Sequence, residues 1–152
     1  ALEGAARGVP SLAMSLETDI ASQYSFSEQN WHASQYFTRF FADIILRKGM
    51  APGVDVLKVE VPAGATEETP WRMTRLSPFM YYEARIENPG AHCKRCDAVF
   101  AKRSGVGEPS DTDAYAIRTA KAVAVTPLSL DLTAATPMNV VSAWVTNNPR
   151  GS

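Results

Sequence analysis

The sequence has 152 residues and a formal net charge of −1. Hydrophobic residues make up 45% and charged residues 20%, a globular composition that argues against intrinsic disorder. The balanced charge favours neither nucleic acid nor a membrane surface as the main partner. No apolar run approaches the roughly 18 residues of a membrane-spanning helix, and two cysteines are too few for a disulfide framework.

The N-terminal part of the sequence predicts a short helix followed by a strand. Residues 1–8 are compatible with a helix, and Gly8 and Pro10 are typical of a helix stop. Because the sequence opens without an initiator methionine and without a capping residue, we expect it to begin inside a longer domain. Residues 11–16 are mostly apolar and fit a buried strand, although periodicity alone also allows a helix.

The strongest predicted helix follows a polar loop over residues 17–24. Ser25 and Glu28 stand three apart, the spacing of a capping box at a helix start. Gly49 supplies a helix stop, and Pro52 follows it. Large apolar residues recur between these signals at helical spacing: Trp31, Phe37, Phe40, Phe41, Ile44 and Ile45.

The rest of the sequence predicts mainly strands. β-Branched or alternating apolar residues mark residues 54–61, 71–76, 81–87, 99–102 and 122–125. A turn at residues 88–90 indicates that residues 81–87 and 99–102 form a long hairpin with an irregular tip. Short helices are predicted after Ser110 or Asp111, and after Thr136 with Pro137. This mixture favours an α/β fold.

The most conspicuous local motif is His92-Cys93-x-x-Cys96. Two thiolates at this spacing can bind zinc or form a redox pair. Zinc prefers four ligands, however, and His92 and Asp97 are the nearest additional candidates. We therefore favour ordinary loop cysteines over a metal site.

Two other candidate residue types have plainer interpretations. Asp111 and Asp113 resemble paired aspartates that hold Mg²⁺, but they follow a loop instead of an apolar strand, which favours helix capping. His32 lies on an aromatic helix, where packing or surface exposure is favoured over general-base catalysis. Arginines that are able to meet phosphate are scattered: Arg72, Arg75, Arg85 and Arg118. Local motifs alone therefore identify no enzyme.

Several stretches in a fixed order resemble the C-terminal portion of the SurE family, the stationary-phase survival proteins. These are residues 2–16 with Gly-Val-Pro inside, 57–62, 74–76, 87–90, 110–114 and 123–133, the last with Thr-Pro-Leu and Asp-Leu-Thr. The stretch Leu-Lys-Val-Glu-Val-Pro at 57–62 is similar to the family's Leu-Asn-Val-Asn-Val-Pro, so Lys58 and Glu60 replace two asparagines. Residues 92–102 also depart from the family's aromatic-rich pattern.

The resemblance implies a nucleoside 5'/3'-monophosphate phosphatase that uses Mg²⁺ or Mn²⁺ and is cytoplasmic. The family's metal ligands lie in segments that would precede Ala1, so no catalytic, cofactor-binding or metal residue is assigned, and this chain alone is expected to bind no metal. An alternative is a non-catalytic α/β binding or oligomerisation module. A third, at Cys93 and Cys96, is a zinc- or thiol-dependent function.

The resemblance also implies an architecture. We expect residues 1–152 to be a single domain, the later part of a Rossmann-like α/β/α sandwich. Residues 81–102 would form an extended hairpin and residues 128–145 a C-terminal docking arm, with Trp144 as an anchor. Because an extended arm needs a partner surface, a homodimer or homotetramer is expected. The alternative is that both segments pack within their own subunit.

Overall fold

The computed structural model describes residues 1–19, 22, 25–86, 98–102 and 105–146. In chain order these residues form α1 (Leu2–Ala6), β1 (Ser11–Leu16), α2 (His32–Lys48), β2 (Val56–Val61), β3 (Trp71–Met73), β4 (Tyr82–Ile86), β5 (Ala98–Lys102), α3 (Asp113–Tyr115), a π-helical segment (Ala116–Ala120), β6 (Val123–Leu128) and α4 (Met138–Thr146). The predicted α/β class is confirmed.

The main sheet has four strands in the order β1-β2-β6-β3. β1 runs parallel to β2, and β6 runs antiparallel to β2 and parallel to β3. The strands β4 and β5 form a separate antiparallel pair, with Tyr82 opposite Lys102 and Ile86 opposite Ala98. The predicted hairpin tip at residues 87–97 lies outside the described residues.

Helical segments cover both faces of the main sheet. Side chains alternate along a strand, so Val123 and Val125 of β6 share one face while Ala124 faces the other. On the first face, Phe37 of α2 packs in a cluster with Val59 of β2 and these two valines. On the second face, Ala124 clusters with residues of the π-helical segment. The result is the predicted three-layer, Rossmann-like α/β/α arrangement.

The start of α2 differs from the sequence prediction. The helix begins at His32, so Ser25 and Glu28 do not form its capping box. The His32 N–H instead donates to Asn30 Oδ1 at 3.0 Å, which satisfies one of the exposed donors of the first turn. At the other end, Gly49 has a φ of 73° and ends the helix as predicted.

The later helices are short and dissimilar. Thr112 caps α3, because its hydroxyl accepts from the Tyr115 N–H at 3.3 Å; the cap is therefore neither Ser110 nor Asp111. In contrast, α4 begins directly after Pro137 and has no buried residue. Its apolar side chains, including Trp144 at 68% exposure, face solvent in the monomer.

Candidate functional site

A cleft of about 430 Å³ opens at the carboxyl ends of β1 and β2. Leu16 and Val61 end these parallel strands, and both line it. An aromatic wall of the cleft consists of Phe79 and Tyr81, which lie between β3 and β4, and of Tyr82, the first residue of β4. In open α/β sheets, ligands bind in the crevice outside the carboxyl ends of the strands.

The floor of the cleft follows from strand alternation in β2. Val59 and Val61 pack toward α2, so Lys58 and Glu60 lie on the opposite face, beneath α3. There the Lys58 ammonium is 2.8 Å from Glu60 Oε2 and 2.8 Å from Asp113 Oδ2. These three side chains, the Lys58 triad, have exposed fractions of 27%, 28% and 9% respectively.

Asp113 is held in place by the backbone around it. Its Oδ1 accepts from the Ser77 N–H and from the Ala114 N–H, both at 2.8 Å. Two backbone hydrogen bonds join the segment after β3 to the start of α3. The Arg75 N–H donates to the Asp111 carbonyl, and the Asp113 N–H donates to the Arg75 carbonyl. Asp113 is therefore fixed on the floor of the cleft.

The pKa values of the three side chains of the Lys58 triad are shifted in different directions. Burial alone would raise the pKa of Asp113, but the hydrogen bonds from Lys58 and from the Ser77 N–H outweigh it, and the pKa lies below its usual value. The pKa of Lys58 is raised because its two carboxylate partners outweigh the effect of burial. The pKa of Glu60 is raised, chiefly because burial disfavours its charged form.

A second polar cluster joins the hairpin to the loop after β1. Glu17 accepts hydrogen bonds from Tyr81 Oη at 2.8 Å, Lys102 Nζ at 2.7 Å and the Ala63 N–H at 3.1 Å. Burial alone would raise the pKa of Glu17, yet these donors lower it. The guanidinium of Arg118 lies over the Tyr81 ring, 3.9 Å from its centroid. These contacts hold the aromatic wall beside the floor.

A divalent cation needs several oxygen or nitrogen ligands that converge on one point. Among the described residues, no three His, Cys, Asp or Glu side chains come together in a way that could hold an ion. The two carboxylates that meet on the cleft floor are already bridged by the Lys58 ammonium. These described residues therefore do not fit a divalent cation.

Most candidate site residues from the sequence analysis do not lie together in the structure. His32 lies on the surface, with Nε2 at 2.8 Å from Glu67 Oε1. Asp111 pairs with Arg75 at 2.7 Å on the surface. Cys93 and Cys96, with His92 and Asp97, lie outside the described residues. Arg72 is on β3, and Arg85 is on β4.

The sequence reasoning missed the roles of Lys58, Glu60 and Glu17. The signal for the first two was present, because charged residues at alternate positions of an otherwise β-branched strand mark a polar sheet face. Nothing local distinguishes Glu17 from an ordinary loop carboxylate. Asp113, considered as a helix cap, proved to bind both the backbone at α3 and a lysine of β2.

The fold and the cleft together define a Rossmann-like α/β protein with a cleft at the carboxyl ends of two parallel strands. The family model described as Survival protein SurE matches residues 1–83. The chain belongs to this family. Among the described residues, no helix is long and apolar enough to cross a membrane.

Relatives and a solved structure agree with this assignment. The 5'-nucleotidase SurE of Thermococcus gammatolerans is 36% identical over 138 residues, which are 88% of this chain and 50% of that protein. The 5'-nucleotidase SurE of Archaeoglobus fulgidus is 32% identical over 148 residues, 95% of this chain and 54% of that protein. The crystal structure of the SurE protein from Aquifex aeolicus superposes with a TM-score of 0.63 at 25% identity, covering 97% of this chain and 56% of the other. The chain thus spans about half the length of the relatives that it matches.

Proposed function

We propose that this chain is the C-terminal portion of a metal-dependent nucleoside 5'/3'-monophosphate phosphatase. The observation that carries the proposal is the sequence identity of 30–36% to relatives named 5'-nucleotidase SurE. The position of the cleft supports it, because the carboxyl ends of parallel strands are where such sheets bind ligands.

The catalytic ion, Mg²⁺ or Mn²⁺, would be held by residues outside 1–152. When bound, such an ion polarises the phosphoryl group and lowers the pKa of water. The described residues contribute the sheet, the cleft floor at the Lys58 triad and the aromatic wall held by Glu17. They would position the substrate and exclude water from one side of it. The proposed location is the cytoplasm, with neither nucleic acid nor membrane as a partner.

The second candidate function is a non-catalytic module that mediates assembly, and α4 favours it. Its apolar residues are exposed, with Met138 at 70%, Trp144 at 68% and Val145 at 59%. We infer that residues 128–145 dock on a second copy to give a homodimer or homotetramer. Light scattering after size exclusion tests this: a Trp144→Ala variant should shift toward monomer, whereas Trp31→Ala should not.

A chimera tests the nucleotidase proposal. Residues 1–146 of this chain replace the matching half of the Thermococcus gammatolerans protein, and phosphate release from AMP is measured with Mn²⁺, with Mg²⁺ and with a chelator. Chelator-sensitive release by the chimera, and none by the 152-residue chain alone, is the expected result.

Two outcomes would count against the proposal. A chimera that is folded by circular dichroism yet inactive would contradict the nucleotidase function and leave the assembly module. Turnover by the 152-residue chain alone would contradict the placement of the metal ligands outside it.

A further inference from the structure

We propose that the cleft binds the nucleoside part of the substrate, base and ribose, and that the phosphate lies outside it. This inference rests on the proposed nucleotidase function and assigns one end of the substrate to residues of this chain. Three observations carry it: the aromatic wall, the charge of the floor and the acceptor groups beside the wall.

The wall has the shape and chemistry that a base requires. The cleft volume of about 430 Å³ lies within the usual range of 300–1,000 Å³ for small-molecule sites. Phe79 lines it while remaining 39% exposed, and Tyr82 is half-buried beside it. Aromatic rings beside apolar side chains, here Leu76 and Ile117, are the groups on which nucleobases stack.

The floor does not suit a phosphate. Lys58 contributes one positive charge, while Glu60 and Asp113 contribute two negative charges, so the triad carries a net charge of −1, or zero when Glu60 is protonated. Both carboxylates lie 2.8 Å from the ammonium, which is therefore already neutralised. A phosphomonoester carries a charge of about −1.5 to −2 near pH 7 and gains no attraction from such a floor.

The same carboxylates are suited to a neutral, hydroxyl-bearing ligand. Glu60 lies near the carboxyl end of β2, lines the cleft and is 28% exposed. In Rossmann-type nucleotide sites, an acidic side chain binds the ribose hydroxyls by accepting hydrogen bonds. Ser15 and Thr18 also line the cleft, and their hydroxyl groups can exchange hydrogen bonds with a sugar or a base.

The test is isothermal titration of the 152-residue chain with adenosine and, separately, with inorganic phosphate. Adenosine should bind and phosphate should not. Phe79→Leu keeps an apolar side chain but removes the ring, and it should weaken adenosine binding about tenfold, the loss expected for one base–aromatic stack. The matched control is Phe26→Leu, because Phe26 is 96% exposed and outside the cleft; it should bind adenosine as the wild type does.

Several results would overturn the assignment: no heat with adenosine, binding of inorganic phosphate in its place, or equal affinity of the Phe79→Leu and Phe26→Leu variants. The chimera separates this failure from failure of the proposed function. If the chimera hydrolyses AMP but adenosine does not bind, the nucleoside site is wrong and the nucleotidase stands. If adenosine binds but the folded chimera is inactive, the nucleotidase is wrong and the site stands.

Discussion

Removal of the Lys58 ammonium should destabilise the fold through the two carboxylates that it leaves behind. Lys58→Met keeps the unbranched stem but deletes both charged contacts of 2.8 Å. Asp113, only 9% exposed, would then face Glu60 without a cation. Breaking a buried ion pair costs about 3–5 kcal/mol, and the partial exposure of Lys58 reduces the expected loss to about 2–3 kcal/mol. Urea unfolding followed by circular dichroism measures it.

The pH dependence of this loss gives a sharper check. In the wild type the pKa of Asp113 lies below its ordinary value of 3.8, so its stabilisation is present above that pH and is lost as the pH falls through the lower, folded value. Without Lys58, two adjacent carboxylates cannot both ionise cheaply, and the pKa of one of them rises. The deficit of Lys58→Met should therefore be larger at about pH 7 than at about pH 5.

The double variant Lys58→Met/Glu60→Gln is the control. It removes the repulsion between the carboxylates and should recover about 1 kcal/mol of the loss. A loss below about 1 kcal/mol for Lys58→Met, or a loss that is the same at both pH values, would refute the reasoning.

Three further variants test other parts of the fold by the same unfolding measurement. Glu17→Gln should lower the free energy of unfolding by about 1–2 kcal/mol at pH 7. Because the pKa of Glu17 is lowered in the folded state, this difference from the wild type should become smaller as the pH falls below 4.5. A difference that does not change with pH would contradict this. In the wild type the buried hydroxyls of Thr74 and Thr126 are 2.7 Å apart. Thr126→Val removes the partner of the Thr74 hydroxyl and should lower the free energy of unfolding by about 1–2 kcal/mol. The double variant Thr74→Val/Thr126→Val leaves no such hydroxyl and should be destabilised less. Gly49 has a φ of 73°, so Gly49→Ala should lower the free energy of unfolding by about 1 kcal/mol. Gly105 does not have a positive φ, and Gly105→Ala should lower it less.

Local signals predicted the elements better than their starting points. The apolar spacing from Trp31 to Ile45 predicted α2, and its glycine stop was correct, because both depend on residues close in sequence. The capping box at Ser25 and Glu28 failed because the spacing of two residues does not fix the backbone between them. Residues 25–30 are non-helical, and the side chain of Asn30 accepts a hydrogen bond from the His32 N–H in the first turn.

The site was harder to predict because its parts come from distant segments. Lys58 and Asp113 are 55 residues apart, and Glu17 and Lys102 are 85 apart. The contact between Lys58 and Asp113 depends on the antiparallel pairing of β2 with β6, since α3 and the π-helical segment pack against β6. No local pattern specifies that pairing. The resemblance to a family predicted the α/β architecture, but it did not predict these contacts.

The strand order has a consequence for the sequence of events during synthesis. β6 lies between β2 and β3 in the sheet, yet it is the last of these strands in the chain. A ribosome-bound intermediate that ends before Val123 holds β2 and β3 with no strand between them, and each exposes an edge of unpaired backbone groups. β6 then completes both ladders, and its Val123 and Val125 complete the core beneath α2. The emergence of one six-residue segment therefore decides when the nascent chain can close its sheet.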